Sequence, residues 1–177
     1  MSQEKKLKQL RMIKLNMSDI PEANVFGDYK LRVLCSDEKI KWEEICTKSF
    51  GYETDFKKII EDMKGYTDDG VFGIFDKDKL IATGTALLDQ KSNGHGYVHM
   101  IAADAGYSGK RLGYEITAAV LRRLRNEGFD KAELTTDDFR LPAIKTYLNL
   151  GFIPDLSVDE TMCERWGKIF EILGLSA

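Results

Sequence analysis

Two stretches of this chain carry residue types at spacings that could do chemistry. The first is Asp104-Ala105-Gly106-Tyr107-Ser108-Gly109-Lys110-Arg111-Leu112-Gly113, a glycine-bearing loop between a strand-like and a helix-like segment. A loop that opens a helix after a strand turns backbone N–H groups outward, where the helix dipole also favours an anion. Lys110 and Arg111 add positive charge at the same spot. The chemistry implied is a phosphate or pyrophosphate cradle; taken alone, a tight turn with solvated charges explains the segment equally well. The second stretch is Ala143–Phe152, where Tyr147 offers either a proton-donating hydroxyl or a core aromatic on the Ile144/Tyr147/Leu148 face.

Two familiar cradles are excluded. A Walker loop needs G-x-x-x-x-G-K-[ST], whereas Gly106-x-x-Gly109-Lys110 is too short and is followed by Arg. A dinucleotide fingerprint needs G-x-G-x-x-G after the first strand of a βαβ unit, and none is present. The window Ser108–Gly113 instead resembles the acyl-CoA loop, [Q/R]-x-x-G-x-[G/A], of the GNAT superfamily of N-acetyltransferases. Gly113 fits its last position, and Gly109-Lys110 with Leu112 looks like the R-G-K-G-L-G variant. Ser108 stands for the usual Gln/Arg, and Arg111 for the central Gly that lets the backbone approach a pyrophosphate. Ala143-Ile144-Lys145-Thr146-Tyr147-Leu148-Asn149-Leu150-Gly151-Phe152 resembles the family's second signature, A-x-x-x-Y-x-x-x-G-F, with Arg140 where an Asn is usual. Leu134–Asp138, leading into this helix, is similar to the acetyltransferase half of mycothiol synthases.

The resemblance implies acetyl-CoA as co-substrate and transfer of its acetyl group to a primary amine by direct attack on the thioester. It implies pantetheine contacts from Ile101, Ala102 and Ala103. It puts the pyrophosphate on the N–H groups of Gly109, Lys110, Arg111, Leu112, Gly113 and Tyr114, with Ser108 and Arg140 as further cofactor-binding residues. Tyr147 takes the general-acid position toward the CoA sulfur. Many members carry a Glu base at the position of Tyr97, so His99, on the same strand face, is the nearest candidate base. A histidine satisfied within the sheet, Asp137 or Asp138 (or their use as helix caps), and a water relay all compete with it. Acceptor recognition falls to the region of Trp42, Phe50, Tyr52 and Phe56, where Glu53, Asp55, Glu61, Asp62, Asp68 and Asp69 would attract a cationic amine near the cleft, although solvated helix faces explain most of them better. The expected partner is a small-molecule amine or a protein amino group, with a homodimer left open. A catalytically silent acyl-CoA-binding module is the alternative, motivated by Ser108, Arg111 and Tyr97; a nucleotide-phosphate binder using a basic arm is a weaker third.

These residues need elements to hold them. Tyr29–Cys35 alternates as a half-buried strand, Ser36 and Asp37 can cap a helix carrying Ile40, Trp42, Ile45, Cys46 and Phe50, and Thr54–Met63 has helical spacing. Val71–Phe75 and Leu80–Leu88 read as a hairpin around Asp76–Lys79, followed by a loop over Asp89–Gly96 and a strand at Tyr97–Ala103. Gly109–Glu127 is the strongest amphipathic helix, ended by Gly128. Lys131–Thr136 is a strand, Pro142–Leu150 a helix, Gly151–Pro154 a short strand and Thr161–Leu173 a terminal helix. The fold class is mixed α/β (α+β): a GNAT-like fold with a central mixed, mostly antiparallel sheet flanked by helices. Residues 1–28 form a leader containing a short strand near Leu10–Leu15, and 29–177 one domain including the C-terminal helix.

Composition narrows the function classes. At 177 residues, one domain is favoured. Net charge is −3, and residues 1–14 hold five Lys/Arg against one Glu, so the body is acidic and disfavours nucleic acid as a partner. No apolar run of about 20 residues spans a bilayer, and no secretory h-region follows the basic N-terminus. Cys35, Cys46 and Cys163 form no CxxC pair and read as free thiols, buried small apolar residues in a cytoplasmic protein. His95 and His99, four apart but in loop and strand, make no metal pair, and no metal is expected.

Overall fold

The computed structural model describes residues 7–88, 91 and 93–175; the expected loop at Asp89–Gly96 and the basic N-terminal stretch lie partly outside the described residues. The strands are β1 (Leu10–Lys14), β2 (Lys30–Val33), β3 (Val71–Asp76), β4 (Lys79–Leu87), β5 (Gly96–Ala103), β6 (Ala132–Thr136) and β7 (Ile153–Pro154). The helices are α1 (Lys39–Phe50), α2 (Leu112–Asn126), α3 (Leu141–Asn149) and α4 (Met162–Leu173). They build a seven-stranded sheet in the order β2-β3-β4-β5-β6-β1-β7. All pairings are antiparallel except β5 with β6, so the sheet is mixed and mostly antiparallel.

Leu10–Lys14, expected within a leader, forms β1 and pairs with β6 on one side and β7 on the other. Its alternation puts Leu10 and Met12 into the main core with Leu134, Tyr147, Phe152 and Trp166. Val71, Phe75 and Leu80 of the central hairpin pack with Trp42, Ile45, Cys46 and Phe56, whereas Ile74 and Ile81 pack with Leu112 and Ile116 of α2. β4 is therefore covered on both faces, as its nearly unbroken burial requires. Gly84 is glycine because a Cβ there would lie 2.6 Å from the Ile101 side chain and 3.1 Å from Val120.

Several expected boundaries move. The strong helix begins at Leu112, not Gly109, because Gly109 and Arg111 have φ of +80° and +58°, which no α-helix accommodates. The expected Thr54–Met63 helix shrinks to one wide turn at Lys57–Glu61, in which Phe56 and Ile60 are buried. Ile40 points to solvent instead of joining Trp42, Ile45 and Cys46. Neither Ser36 nor Asp37 caps α1; a 3-10 turn at Ser36–Glu38 precedes it, with Glu38 held by Arg32 at 2.7 and 2.8 Å. All three cysteines are free, but only Cys46 is buried; Cys35 and Cys163 are exposed, which corrects their reading as buried residues.

Candidate functional site

The site begins with a defect in the sheet. β5 and β6 pair only at Gly96↔Ala132 and Tyr97↔Glu133, although β5 runs on to Ala103 and β6 to Thr136. Along the other edge of β5, Thr85 opposes His99 while Thr83 opposes Ala102, so β5 carries one extra residue. Met100 absorbs it with φ +49°, the signature of a bulge, which bends the strand away from β6. A non-glycine residue in that region is strained by about 1–3 kcal/mol, and such strain concentrates at functional sites.

Two cavities occupy the splay. One, about 660 Å³, is lined by Val98–Ile101 of β5, Leu134–Asp137, and Phe50 and Tyr52 at the end of α1. The other, about 500 Å³, runs along Ile101–Ala103 opposite Pro142, Ala143 and Thr146 of α3, and ends at Ser108, Gly109, Arg111, Leu112 and Gly113. Ile101, Arg140, Ala143 and Tyr147 line both, forming their common wall.

The loop end of the second cavity is rich in unused donors. Among the described residues, the N–H groups of Gly109, Arg111, Leu112 and Gly113 donate to no protein acceptor. Lys110 and Tyr114, expected in the same set, spend their N–H groups on Tyr107 O at 3.3 Å and Arg111 O at 2.9 Å. A Cβ on Gly113 would meet no protein atom within 4 Å. Protein packing thus gives no reason for that glycine, whereas a close anion would. The left-handed Arg111 explains the usual glycine there. Its side chain folds back along α2, 4.4 Å from the Tyr114 ring and 3.4 Å from the Glu115 carboxylate, leaving the N–H groups uncovered. Asp104, which ends β5, accepts from Gly106 N at 2.9 Å and pairs with Lys79 at 2.8 Å and Lys48 at 3.2 Å. These partners, Lys79 foremost, hold its carboxyl well below the usual range and fix the start of the loop. The donor set fits the diphosphate of an acyl-CoA, and the open edge of β5 fits its amide-bearing arm.

Tyr147 stands where the cavities meet. It is 6% exposed, and among the described residues its hydroxyl has no hydrogen-bond partner. Burial pushes its pKa above the ordinary 10, opposed by the positive charge of Arg140, so the hydroxyl stays protonated at neutral pH. His99 lines the 660 Å³ cavity, 5.7 Å from Tyr97 ring to ring. Its Nε2 lies 3.1 Å from the Ile59 carbonyl, which assigns the Nε2–H tautomer and leaves Nδ1 as its lone pair. Burial pushes its pKa down to about 4, against that hydrogen bond, so the ring is neutral and a weak base.

The carboxylates fall differently from expectation. Asp137 and Asp138 do not cap α3: Asp137 accepts from Arg140 Nε at 3.2 Å and Gln9 Nε2 at 3.0 Å, and Asp138 pairs with Arg165. Of the two, only Asp137 lines the cavity. Asp55, Glu61 and Asp69 pair with Lys58, Lys39 and Arg123, and none of the six acids near the first helices lines the cleft. Phe50 and Tyr52 reach it, but Trp42 and Phe56 are an edge-to-face core pair 5.1 Å apart. Gln9 and Thr135, which sequence reasoning did not single out, line it too, brought there by β1 and β6. Among the described residues no group of three or more His, Cys, Asp or Glu could hold a metal ion, and no helix is long and apolar enough to cross a membrane.

Known proteins share this fold. A GCN5-related N-acetyltransferase from Sphaerobacter thermophilus superimposes with a TM-score of 0.64 at 16% identity, over 84% of this chain and 50% of that one. The ribosomal-protein-S18-alanine N-acetyltransferase from Escherichia coli superimposes at 0.59 with 18% identity, over 71% of this chain and 77% of its own. In sequence, the mycothiol acetyltransferase of Segniliparus rotundus is 34% identical over 87 residues, 45% of this chain and 33% of that protein. The chain therefore spans a third of that curated relative and half of the first structural one. The acetyltransferase (GNAT) family profile matches residues 37–152, well over half the chain. Because the splayed β5, the loop of free N–H groups and Tyr147 all fall inside that span, the chain belongs to the acetyltransferase (GNAT) family.

Proposed function

We propose that this chain is an acetyl-CoA-dependent N-acetyltransferase. The observation that carries the reading is Tyr147: a protonated, unpartnered hydroxyl on the shared wall of two cavities, one with an anion cradle at its far end and the other open to an acceptor. Acetyl-CoA supplies an activated acetyl group: the amine nitrogen bonds to the carbonyl carbon, the carbon–sulfur bond breaks, and the nitrogen releases a proton. The N–H groups of Gly109, Arg111, Leu112 and Gly113 hold the diphosphate, each charge-assisted bond contributing about 1.5–3 kcal/mol. The unpaired edge of Ile101–Ala103 orients the pantetheine arm. Tyr147, kept protonated by a pKa raised above 10, donates to the departing sulfur as negative charge develops there and regains its proton from solvent. Neutral His99 accepts a hydrogen bond from the incoming amine or its water; once the N–C bond has formed the acylated nitrogen is strongly acidic, so its proton leaves to solvent and no strong side-chain base is required.

Two assays test this. Acetyl-CoA should raise the melting temperature, and thiol release should depend on added amine. The binding-only alternative draws on Arg111, and it predicts the thermal shift without amine-dependent thiol release. Absence of any shift at millimolar acetyl-CoA would remove both readings.

A further inference from the structure

Arg140 carries an unanswered question. Its side chain is only 22% exposed, and its guanidinium lies 4.6 Å from the Phe50 ring centroid and 5.3 Å from that of Phe139. Nε donates to Asp137 at 3.2 Å, but among the described residues the two terminal nitrogens have no hydrogen-bond partner. Neither terminal nitrogen is among the buried unpartnered atoms of the described residues, so the fork opens into the cavity with its donors free for solvent or a ligand. The two-ring stack and the Nε bond fix the fork's orientation, so little side-chain entropy is lost when it binds.

The fork's anchors say which ligand it meets. Arg140 touches both cavities, yet Phe50 and Asp137 line only the acceptor side. The cofactor's diphosphate has its donors at Gly109–Gly113, and its pantetheine arm carries no anion. The planar fork matches a planar carboxylate in bidentate fashion. Asp137, beside it, suits the positive end of the same molecule, and Phe50, Tyr52 and Tyr97 give the cavity aromatic walls.

We propose that Arg140 reads a carboxylate on the acceptor, so that the amine acetylated here belongs to an amino-acid-like molecule with an apolar or aromatic body. This rests on the acetyl-transfer reading above, and Arg140 acts in it as a specificity-determining residue. The transfer keeps the balance already given: the acceptor nitrogen gains the acetyl group and loses a proton, and its carboxylate stays unchanged.

The test uses a matched series, L-phenylalanine, L-phenylalaninamide and phenethylamine, titrated onto the full chain saturated with CoA. The carboxylate form should bind on the order of 10-fold tighter than the amide, as expected for a charge-assisted pair. Arg140→Gln should erase that preference, Arg140→Lys should restore part of it, and acetyl-CoA affinity should fall less than carboxylate affinity. Equal binding of the three forms, or no binding of the carboxylate, overturns the proposal, as does an Arg140→Gln loss that falls on acetyl-CoA instead. A chain that fails to bind CoA itself fails the acetyl-transfer reading, which the first titration detects separately. Stronger binding of phenethyl phosphate than of phenylalanine would assign the fork to a phosphate-bearing acceptor and also overturn the carboxylate.

Discussion

The two cavities that meet at Tyr147 are built from different materials. The side proposed for the cofactor is backbone: four free N–H groups in six consecutive residues and a strand edge that β6 leaves open. The side proposed for the acceptor is side chains drawn from separate elements, Gln9 near β1, Phe50 and Tyr52 at the end of α1, Tyr97 and His99 on β5, Asp137 and Arg140 before α3. A backbone site needs only the correct local conformation, so a short sequence window specifies it. A side-chain site needs the whole sheet to close before its parts come together.

That difference explains what could be read from the residues. The cofactor loop, the sheet class and the role of Tyr147 came from the resemblance to the GNAT signatures, whereas the hairpin and the order of elements follow from period-two and helical patterns. The helix start at Leu112 did not, because Arg111 gives no composition signal of a left-handed residue. The bulge at Met100 was hidden for the same reason, although it opens the cleft. Gln9 was missed because β1 is far from the site in sequence, while the acids near α1 stay outside the cleft, as solvated helix faces would, three of them paired with Lys39, Lys58 and Arg123. The acceptor side thus becomes legible only once β1, β6 and α3 are assembled.

The comparison breaks most decisively at Gly113. The Cβ added by Gly113→Val meets no protein atom within 4 Å, so the melting temperature should stay close to that of the parent chain, while acetyl-CoA affinity falls on the order of 1,000-fold through two obstructed charge-assisted bonds. Retained affinity would mean that the cradle is not the cofactor's. Next in size, Tyr147→Phe should lower kcat about 100-fold with acetyl-CoA binding intact. Because burial raises the Tyr147 hydroxyl above 10, no loss of rate from its ionisation should appear below that pH.

On the acceptor side effects should be smaller and confined to the amine. Tyr52→Ala should raise the acceptor KM about 5-fold through lost apolar contact, without altering acetyl-CoA binding. A rise in the acetyl-CoA constant instead would merge the two cavities into one site. Smallest of all, His99→Gln should change kcat less than about 3-fold at pH 7.5 if water takes the proton. Its effect belongs to stability: the folded chain keeps His99 neutral to about 4, whereas the unfolded chain protonates near 6.5. The unfolded state therefore binds more protons between those values, and stability is lost as pH falls through that window. Urea unfolding at pH 7, 5.5 and 4.5 should show the loss in the parent chain and a flatter profile in His99→Gln.

The most direct test of the account is amide hydrogen exchange with and without acetyl-CoA. Protection should rise at Gly109, Arg111, Leu112 and Gly113 and at Ile101 and Ala103, whose amides face away from β4, with little change at Lys110 and Tyr114, whose N–H groups are already bonded within the loop. Unchanged exchange at the four loop amides, or protection appearing only around Phe50 and Asp137, would contradict the placement of the cofactor and with it the division of labour between the two cavities.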